Sequence, residues 1–234
     1  MEYTQFQQLA STFDVDVSQG MYDQLKIYAN HLIEYNNKVN LTAIVEVDQI
    51  FIKHFLDSLL VLKHVQDKEI VADIGTGAGF PGLVLAIFSP NTKFELVEPT
   101  QKRVAFLLEV VNLLGLHNVV VHNARAEELE KHKEKYDVVV SRAVARLDIL
   151  SELCIPLVKV NGLFIALKGA HAMEEIEISK NALSLLYATI ESVEMLKLPY
   201  KDEIAIRNNI IMRKHKKTAN KYPRMYSKIK KQPL

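Results

Sequence analysis

A single cysteine, Cys154, is all the chain contains, so no intrachain disulfide can form and an oxidising compartment gains no support. Long apolar runs are also missing. The longest resemble Leu83–Phe88, far below the ~20 residues a membrane-spanning helix needs. The first residues, Met1–Gln8, are polar with an acid at position 2, unlike a secretory signal. These absences point to the cytoplasm and to no membrane partner. No internal repeat or low-complexity segment is visible, and the spacing of ligating side chains suggests no metal site. With 49% hydrophobic and 24% charged residues, the composition excludes a disordered chain, a collagen-like chain and a bare coiled coil. A length of 234 residues fits one domain with an appendage, or two small ones, and a monomer is expected.

Acids are absent from the last stretch. Residues Arg213–Leu234 carry nine Lys or Arg and no Asp or Glu, which leaves 20 bases against 28 acids in residues 1–212, a net of −8. A basic tail on an acidic body suits a polyanionic partner, whose bound counterions the basic residues would release. The plain alternative is a solvated tail that aids solubility. Tyr222 and Tyr226, interleaved with the charges, offer stacking surfaces for unpaired bases.

Periodicity divides the chain. After Ser18, a candidate helix N-cap, Met21, Leu25, Tyr28, Leu32 and Tyr35 recur at helical spacing. Asp48–His64 is periodic as well, so residues 1–65 read as a helical extension. From there, short β-rich runs appear at Ile70–Ile74, Phe94–Val97, Asn118–Val121, Tyr136–Val140, Leu163–Leu167, Ser192–Leu198 and Ile204–Met212. Helical patterns separate the first six: Pro81–Phe88, Gln101–Leu114, Glu127–Lys133, Asp148–Val158 and Ala172–Ala188. Such alternation predicts βαβ units and a mostly parallel sheet. The last two runs are separated only by the region Pro199–Glu203, too short for a helical crossover, and should pair as an antiparallel hairpin. The expected fold is α/β, a Rossmann-like seven-stranded, mostly parallel sheet of the class I methyltransferase kind. It would span residues 66–212, between the helical extension and a basic tail at 213–234.

The first strand runs into Asp73-Ile74-Gly75-Thr76-Gly77-Ala78-Gly79-Phe80-Pro81-Gly82. Glycines between a strand and a helix let the backbone turn sharply and let a ligand approach closely. Pro81 suits a first helical turn. Gly77, Gly79 and Gly82 also match the dinucleotide-binding spacing, which is weak evidence taken alone. Asp73 weighs against a pyrophosphate and suits the ammonium of a methionine moiety. Glu98, after the second strand, suits ribose hydroxyls and would serve NAD or S-adenosylmethionine equally. The balance favours S-adenosylmethionine, with a dinucleotide and a ligand-free turn as alternatives. The loop Asn123–Glu127 would pass the adenine, though Glu127 is also a natural first-turn helix acid.

The segment ending the fourth strand, Asp137–Arg146, lacks two signatures. There is no Asn/Asp-Pro-Pro-aromatic sequence to orient an exocyclic amine, and no Pro-Cys nucleophile for pyrimidine C5. Cys154 reads as a small buried apolar residue. Guanine N7 carries a lone pair and no proton, so its methylation needs positioning and exclusion of water rather than a base. Other intrinsic nucleophiles fit the same argument.

Taken together, Asn40-Leu41-Thr42, Lys53-His54-Phe55-Leu56-Asp57-Ser58-Leu59, Asp73–Gly82, Lys102-Arg103, Phe106-Leu107, Ala126-Glu127, Ser141-Arg142-Ala143, Ala166-Leu167-Lys168-Gly169 and the terminal Lys231-Gln232-Pro233-Leu234 resemble the bacterial small-subunit rRNA guanine-N7 methyltransferases. This is the glucose-inhibited division protein B, or RsmG, family, and the resemblance spans nearly the whole chain. It implies methyl transfer from S-adenosylmethionine to one guanine N7 in a loop of 16S rRNA, on the RNA or on an assembly intermediate of the small subunit. It also implies cofactor contacts at Gly75, Phe80, Ala126, Glu127 and Arg142, alongside Asp73, Gly77, Gly79 and Glu98 from the residues themselves. One departure stands out. Many members carry Arg-Lys-x-Gly-x-Pro in the tail, where this chain has Arg224-Met225-Tyr226-Ser227-Lys228-Ile229.

His54, Asp57 and Ser58 share one helix face at i, i+3 and i+4, where Asp57 would fix the imidazole and the group would meet the target base or sugar. The alternative is a polar patch docking the extension on the sheet domain. Arg142 and Lys168 end the fourth and fifth strands at the carboxyl edge, so both join the catalytic candidates. Arg103, Arg125, Arg146 and His171 would extend a basic rim there. The RNA-binding expectation covers Arg146, Lys168, Arg213, Lys214, Lys221, Arg224, Lys228 and Lys230. The target guanine should be unpaired, because protein cannot reach N7 in the narrow major groove of A-form RNA. The competing functions are an NAD-dependent oxidoreductase and a nonenzymatic RNA-binding module.

Overall fold

The structure is a computed structural model that describes residues 1–200 and 203–234. Seven strands form one sheet: β1 (Ile70–Ile74), β2 (Lys93–Val97), β3 (Val119–His122), β4 (Tyr136–Arg142), β5 (Val158–Lys168), β6 (Ala188–Tyr200) and β7 (Glu203–Lys214). Their order is β3-β2-β1-β4-β5-β7-β6. The first five run parallel, and β7 runs antiparallel between β5 and β6. The expected closing hairpin is present; residues 201–202 of its turn lie outside the described residues. The chain reverses strand order between β1 and β4, which opens a crevice at the carboxyl edge where ligands of such sheets bind.

The N-terminal segment forms α1 (Tyr3–Ser11), α2 (Gln19–Asn36), α3 (Val47–Ile50) and α4 (Asp57–Leu59), with a π-helical stretch at Phe51–Leu56 between the last two. Ser18 caps α2 by accepting from the Met21 amide at 3.2 Å. Then come α5 (Gly82–Phe88), α6 (Gln101–Leu113), α7 (Leu147–Cys154), α8 (Ala172–Leu185) and α9 (Tyr226–Lys231).

A parallel sheet buries both faces, and alternate residues of β4 and β5 divide between two cores. Val138, Val140 and Ile165 pack with Leu25, Tyr28, Phe55, Leu83 and Phe106, so the N-terminal helices share a core with α5 and α6. Val139, Phe164 and Ala166 pack with Leu150, Leu153, Ile176, Tyr222 and Ile229 from α7, α8 and the C-terminal segment. Cys154 is fully buried in this second core, as expected of a small apolar residue.

Three expectations need correction. The helix predicted at Glu127–Lys133 is two 3-10 turns, Ala126–Glu128 and Glu130–His132, because Leu129 leaves helical geometry to bury its side chain. The helix predicted to reach Val158 ends at Cys154, ahead of Pro156, and Val158 opens β5. The tail boundary at 213 is also displaced: Arg213 and Lys214 complete β7, and the remainder folds back with Tyr222 and Ile229 buried.

Candidate functional site

Gly75 turns the chain out of β1 at φ +70, and a Cβ there would collide with the Val144 side chain. The strip beside Gly75 therefore stays open only for glycine. Asp73 does not face this opening. Its Oδ2 accepts from the Thr76 hydroxyl at 2.6 Å and from the Gly82 amide at 2.8 Å, and the side chain is fully buried. A Cβ on Gly82 would run into Asp73, so that glycine lets α5 close over the carboxylate. Burial pushes the Asp73 carboxyl up to about 6, against the pull of Thr76, Gly82 and Arg142. Asp73 thus braces the loop from beneath, where an ammonium contact was expected. Its Oδ1 is buried and has no partner among the described residues. Gly79 also faces inward, toward Tyr28 and Leu83. Tyr28 reaches across from α2 and donates to the Ala78 carbonyl, so the helical extension holds the loop in place.

Glu98, just past β2, points up into the crevice. It accepts from the Gly77 amide at 3.1 Å and the Thr100 amide at 2.8 Å, with Arg103 3.7 Å away. A cavity of about 290 Å³ lies over it, walled by Gly75, Ala124–Glu127, Val144, Leu153 and Tyr226. A second, of about 190 Å³, runs along Gly75–Ala78, Phe80, Thr42, His54 and Arg142. Gly75, Arg103 and Ala143 border both. These residues fit S-adenosylmethionine: an acid for the ribose, small side chains at Ala124 and Ala126 beside an adenine, and Cβ-free backbone where the donor crosses the loop.

On the far side of Arg142 opens the largest of these cavities, about 560 Å³, lined by Lys53, His54, Asp57, Arg142–Arg146, Lys168 and Arg207. Asp57 is its hub. Arg142 Nη1 donates to Oδ2 at 2.8 Å, and Arg207 Nε donates to Oδ1 at 2.9 Å. Arg142 Nη2 lies 3.3 Å from His54 Nδ1. The same Nδ1 lies 3.2 Å from the Lys53 carbonyl, and Nε2 lies 2.9 Å from Thr42 Oγ1, so both ring nitrogens are engaged. Burial, with Arg142 second, pushes the His54 pKa down to about 3, so the ring is neutral at physiological pH. His54 stacks on Phe80 at 4.5 Å, and Arg142 lies over the same ring at 5.0 Å.

His54, Asp57 and Arg142 meet as expected, but Asp57 does not fix the imidazole; Arg142 stands between them. Ser58 is fully buried and donates to the His54 carbonyl at 2.6 Å, so it braces the π-helical stretch and does not reach the cavity. Lys168 lines the cavity with its charge taken by Glu175 at 2.7 Å and the Ala145 carbonyl at 2.6 Å. Arg146 pairs with Asp148 at 2.6 Å yet stays more than half exposed. His171 is exposed beside Glu174, outside the three cavities. Arg207 was missed, although a lone arginine inside the apolar run Ile204–Met212 was a signal. Asn208 pairs with Lys168 across the β5–β7 ladder, and that register brings Arg207 to the carboxyl edge.

The tail charges divide. Arg213 pairs with Glu191 and aligns with Leu163, toward the amino edge and away from the cavities. Lys214 is 1% exposed and bonds Glu134 at 3.2 Å and the Val158 carbonyl at 2.8 Å. Arg224 is clamped to the buried Glu152. All three, named above as RNA contacts, are held in ion pairs within the fold, and of them Lys214 is withdrawn from solvent. Lys221, Lys228 and Lys230 are exposed. Tyr222 is buried and offers no face to a base.

Glu95, His122 and His132 form a cluster with metal-ligand chemistry. Its carboxylate is already engaged by Lys135 at 2.7 Å, Tyr136 at 2.9 Å and His122 at 3.0 Å. Burial pushes its pKa up, but Lys135, Tyr136 and Lys93 outweigh that and hold it down at about 2.

Comparison with known proteins gives a consistent result. The sequence model of the family described as GidB, rRNA small subunit methyltransferase G, matches residues 21–205. Ribosomal RNA small subunit methyltransferase G of Oceanobacillus iheyensis is 40% identical over 239 residues, covering 100% of both chains. The protein of that name from Mycoplasma capricolum is 46% identical, covering 92% of this chain and 93% of its own. Among solved structures, M. jannaschii TYW2 in complex with AdoMet superposes with a TM-score of 0.54 at 17% identity, over 86% of this chain and 78% of that one. The YcgJ protein of Bacillus gives a TM-score of 0.55 at 15% identity, over 70% and 100%. At these identities the solved structures speak to the fold alone.

Proposed function

The chain belongs to the rRNA small subunit methyltransferase G family, and from that premise we propose that it methylates N7 of an unpaired guanine in a loop of 16S rRNA. It is an S-adenosylmethionine-dependent methyltransferase acting on RNA of the small ribosomal subunit. The observation that carries the finer reading is the contact between cavities. The two smaller recesses and the larger basic one all border Ala143, with Arg142 shared by one of the recesses and Val144 by the other. A donor on one side and a nucleotide on the other would meet there.

The cofactor, when bound, supplies a methyl group on a positively charged sulfur that leaves as a neutral thioether. The chain's own residues do the rest. Glu98, Ala126 and Glu127 would hold the adenosine, and the Gly75–Ala78 backbone would border the remainder. On the acceptor side, no lining side chain among the described residues is a free base. His54 has Nδ1 against Arg142 and the Lys53 carbonyl and Nε2 against Thr42, Asp57 is held by two arginines, and Lys168 is held by Glu175. Such a site can orient a nucleophile but cannot take a proton from one. Guanine N7 needs no deprotonation, whereas an exocyclic amine does. Arg142, Arg207 and Lys53 present donors and positive charge for the guanine O6 and flanking phosphates. Phe80, His54 and Arg142, stacked together, wall the reacting region from water and hold it rigid. Arg146 on the rim and Lys221, Lys228 and Lys230 on the C-terminal segment would grip RNA farther out, within the cytoplasm where subunits assemble.

The test compares 16S rRNA from cells with and without the gene, using borohydride–aniline cleavage at 7-methylguanine. Loss of one cleavage site is expected. An unchanged pattern rejects the assignment.

A further inference from the structure

The adenosine cavity has a wall that no methyltransferase sheet supplies by itself. Tyr226 borders it from the C-terminal segment, in a lining shared with Ala124 and Ala126. That segment is held at both ends. Arg224 gives its backbone amide to Glu152 at 2.9 Å and its Nε to the same carboxylate at 2.7 Å, and Glu152 is fully buried. On either side of Tyr226, Tyr222 and Ile229 are sunk into the second core. The ring therefore starts α9 at a fixed place, half-buried, with the Arg125 guanidinium 6.0 Å from its centroid.

We propose that Tyr226 is an adenine-contacting residue, and that the C-terminal segment completes the cofactor pocket. The inference rests on the S-adenosylmethionine reading above and adds a residue to it. A purine needs a flat apolar surface on its face, and alanines on the β3 side provide room but little area. Tyr226 provides the ring. The exposed Lys228 and Lys230 share α9 with Tyr226. RNA held by those lysines would steady the ring, and cofactor held by the ring would steady the lysines, because coupling between binding sites is reciprocal.

Titration calorimetry of the full chain with S-adenosylhomocysteine tests the contact. Tyr226→Ala is expected to weaken binding about tenfold, in line with the loss of one base–aromatic contact, and Tyr226→Phe to restore it to within about twofold. Phenylalanine keeps the ring and loses only the hydroxyl. An alanine variant that binds as tightly as the unmodified chain overturns the inference and leaves the methyltransferase reading intact. An unmodified chain that does not bind S-adenosylhomocysteine overturns both. Photolabelling the unmodified protein with 8-azido-S-adenosylmethionine avoids any folding defect of a variant. Label on the peptide bearing Tyr226 is expected; label confined to the peptide bearing Ala124–Glu127 overturns the inference.

Discussion

Arg142, the last residue of β4, lies 2.8 Å from Asp57 in the N-terminal helical segment, and both side chains are largely buried. One ion pair thus joins the sheet's carboxyl edge to the helices that cover it. Asp57 also carries Arg207, so removing it strands two guanidinium groups. Asp57→Ala should lower stability by about 3 kcal/mol, the scale for breaking a buried pair from one side. Arg142→Lys keeps the charge but loses the forked reach to Asp57 and His54. Its methylation rate should fall about 100-fold, the cost of a misplaced reacting group, with a smaller loss of stability than Asp57→Ala. Urea unfolding and a single-turnover methylation assay read the two effects separately.

Two buried groups make stability depend on pH in opposite directions. Burial raises the Asp73 pKa from 3.8 to about 6, so between those values the folded state holds more protons and loses stability as pH rises. Burial and Arg142 lower the His54 pKa from 6.5 to about 3, so over that span the unfolded state holds more protons and stability rises with pH. The slopes oppose each other between about pH 4 and 6. Relative to the unmodified chain, Asp73→Asn should gain roughly 2–3 kcal/mol as pH goes from 4 to 7. His54→Gln should lose ground by a similar amount over the same interval. Urea titrations at pH 4.5, 5.5 and 7 would show this; parallel curves for both variants would refute the assignment.

The strands, their alternation with helices and the final hairpin were legible because burial on both faces writes continuous apolar runs into β4 and β5. Side-chain aim was not legible. Spacing placed Asp73 beside the glycines without showing that its carboxylate turns under them. The π-helical stretch Phe51–Leu56 breaks the i, i+3 register that would have set Asp57 beside His54, and the two meet through Arg142 instead. Charge counting could not show the tail's ion pairs for a related reason. Arg213, Lys214 and Arg224 answer Glu191, Glu134 and Glu152, partners distant in sequence that no local pattern reveals.

Gly75 allows a direct test of the cofactor crevice. Alanine there meets two penalties: a left-handed φ, worth about 1 kcal/mol, and collision with Val144. Gly75→Ala should abolish measurable S-adenosylhomocysteine binding while the protein stays folded. Adding Val144→Ala removes the collision and leaves the backbone strain, so part of the lost stability should return. If the double variant is no more stable than Gly75→Ala alone, Val144 is not what excludes a Cβ.

Glu152 makes the tail's attachment a matter of charge as well as packing. Its carboxylate is fully buried and takes three hydrogen bonds from Arg224. Arg224→Met would leave that acid without its cation, at a cost of about 3 kcal/mol, and should free residues beyond Tyr222. Trypsin would then cut at Lys228, Lys230 and Lys231 well before the sheet domain unfolds. Glu152→Gln in the same chain removes the stranded charge, so the double variant should recover much of the stability. The tail should nevertheless stay sensitive to trypsin, because a neutral amide facing methionine supplies no clamp. Recovery of stability without recovery of protection would separate the cost of a buried charge from the work of holding the segment in place. Recovery of both would mean that Tyr222 and Ile229 anchor it without the ion pair.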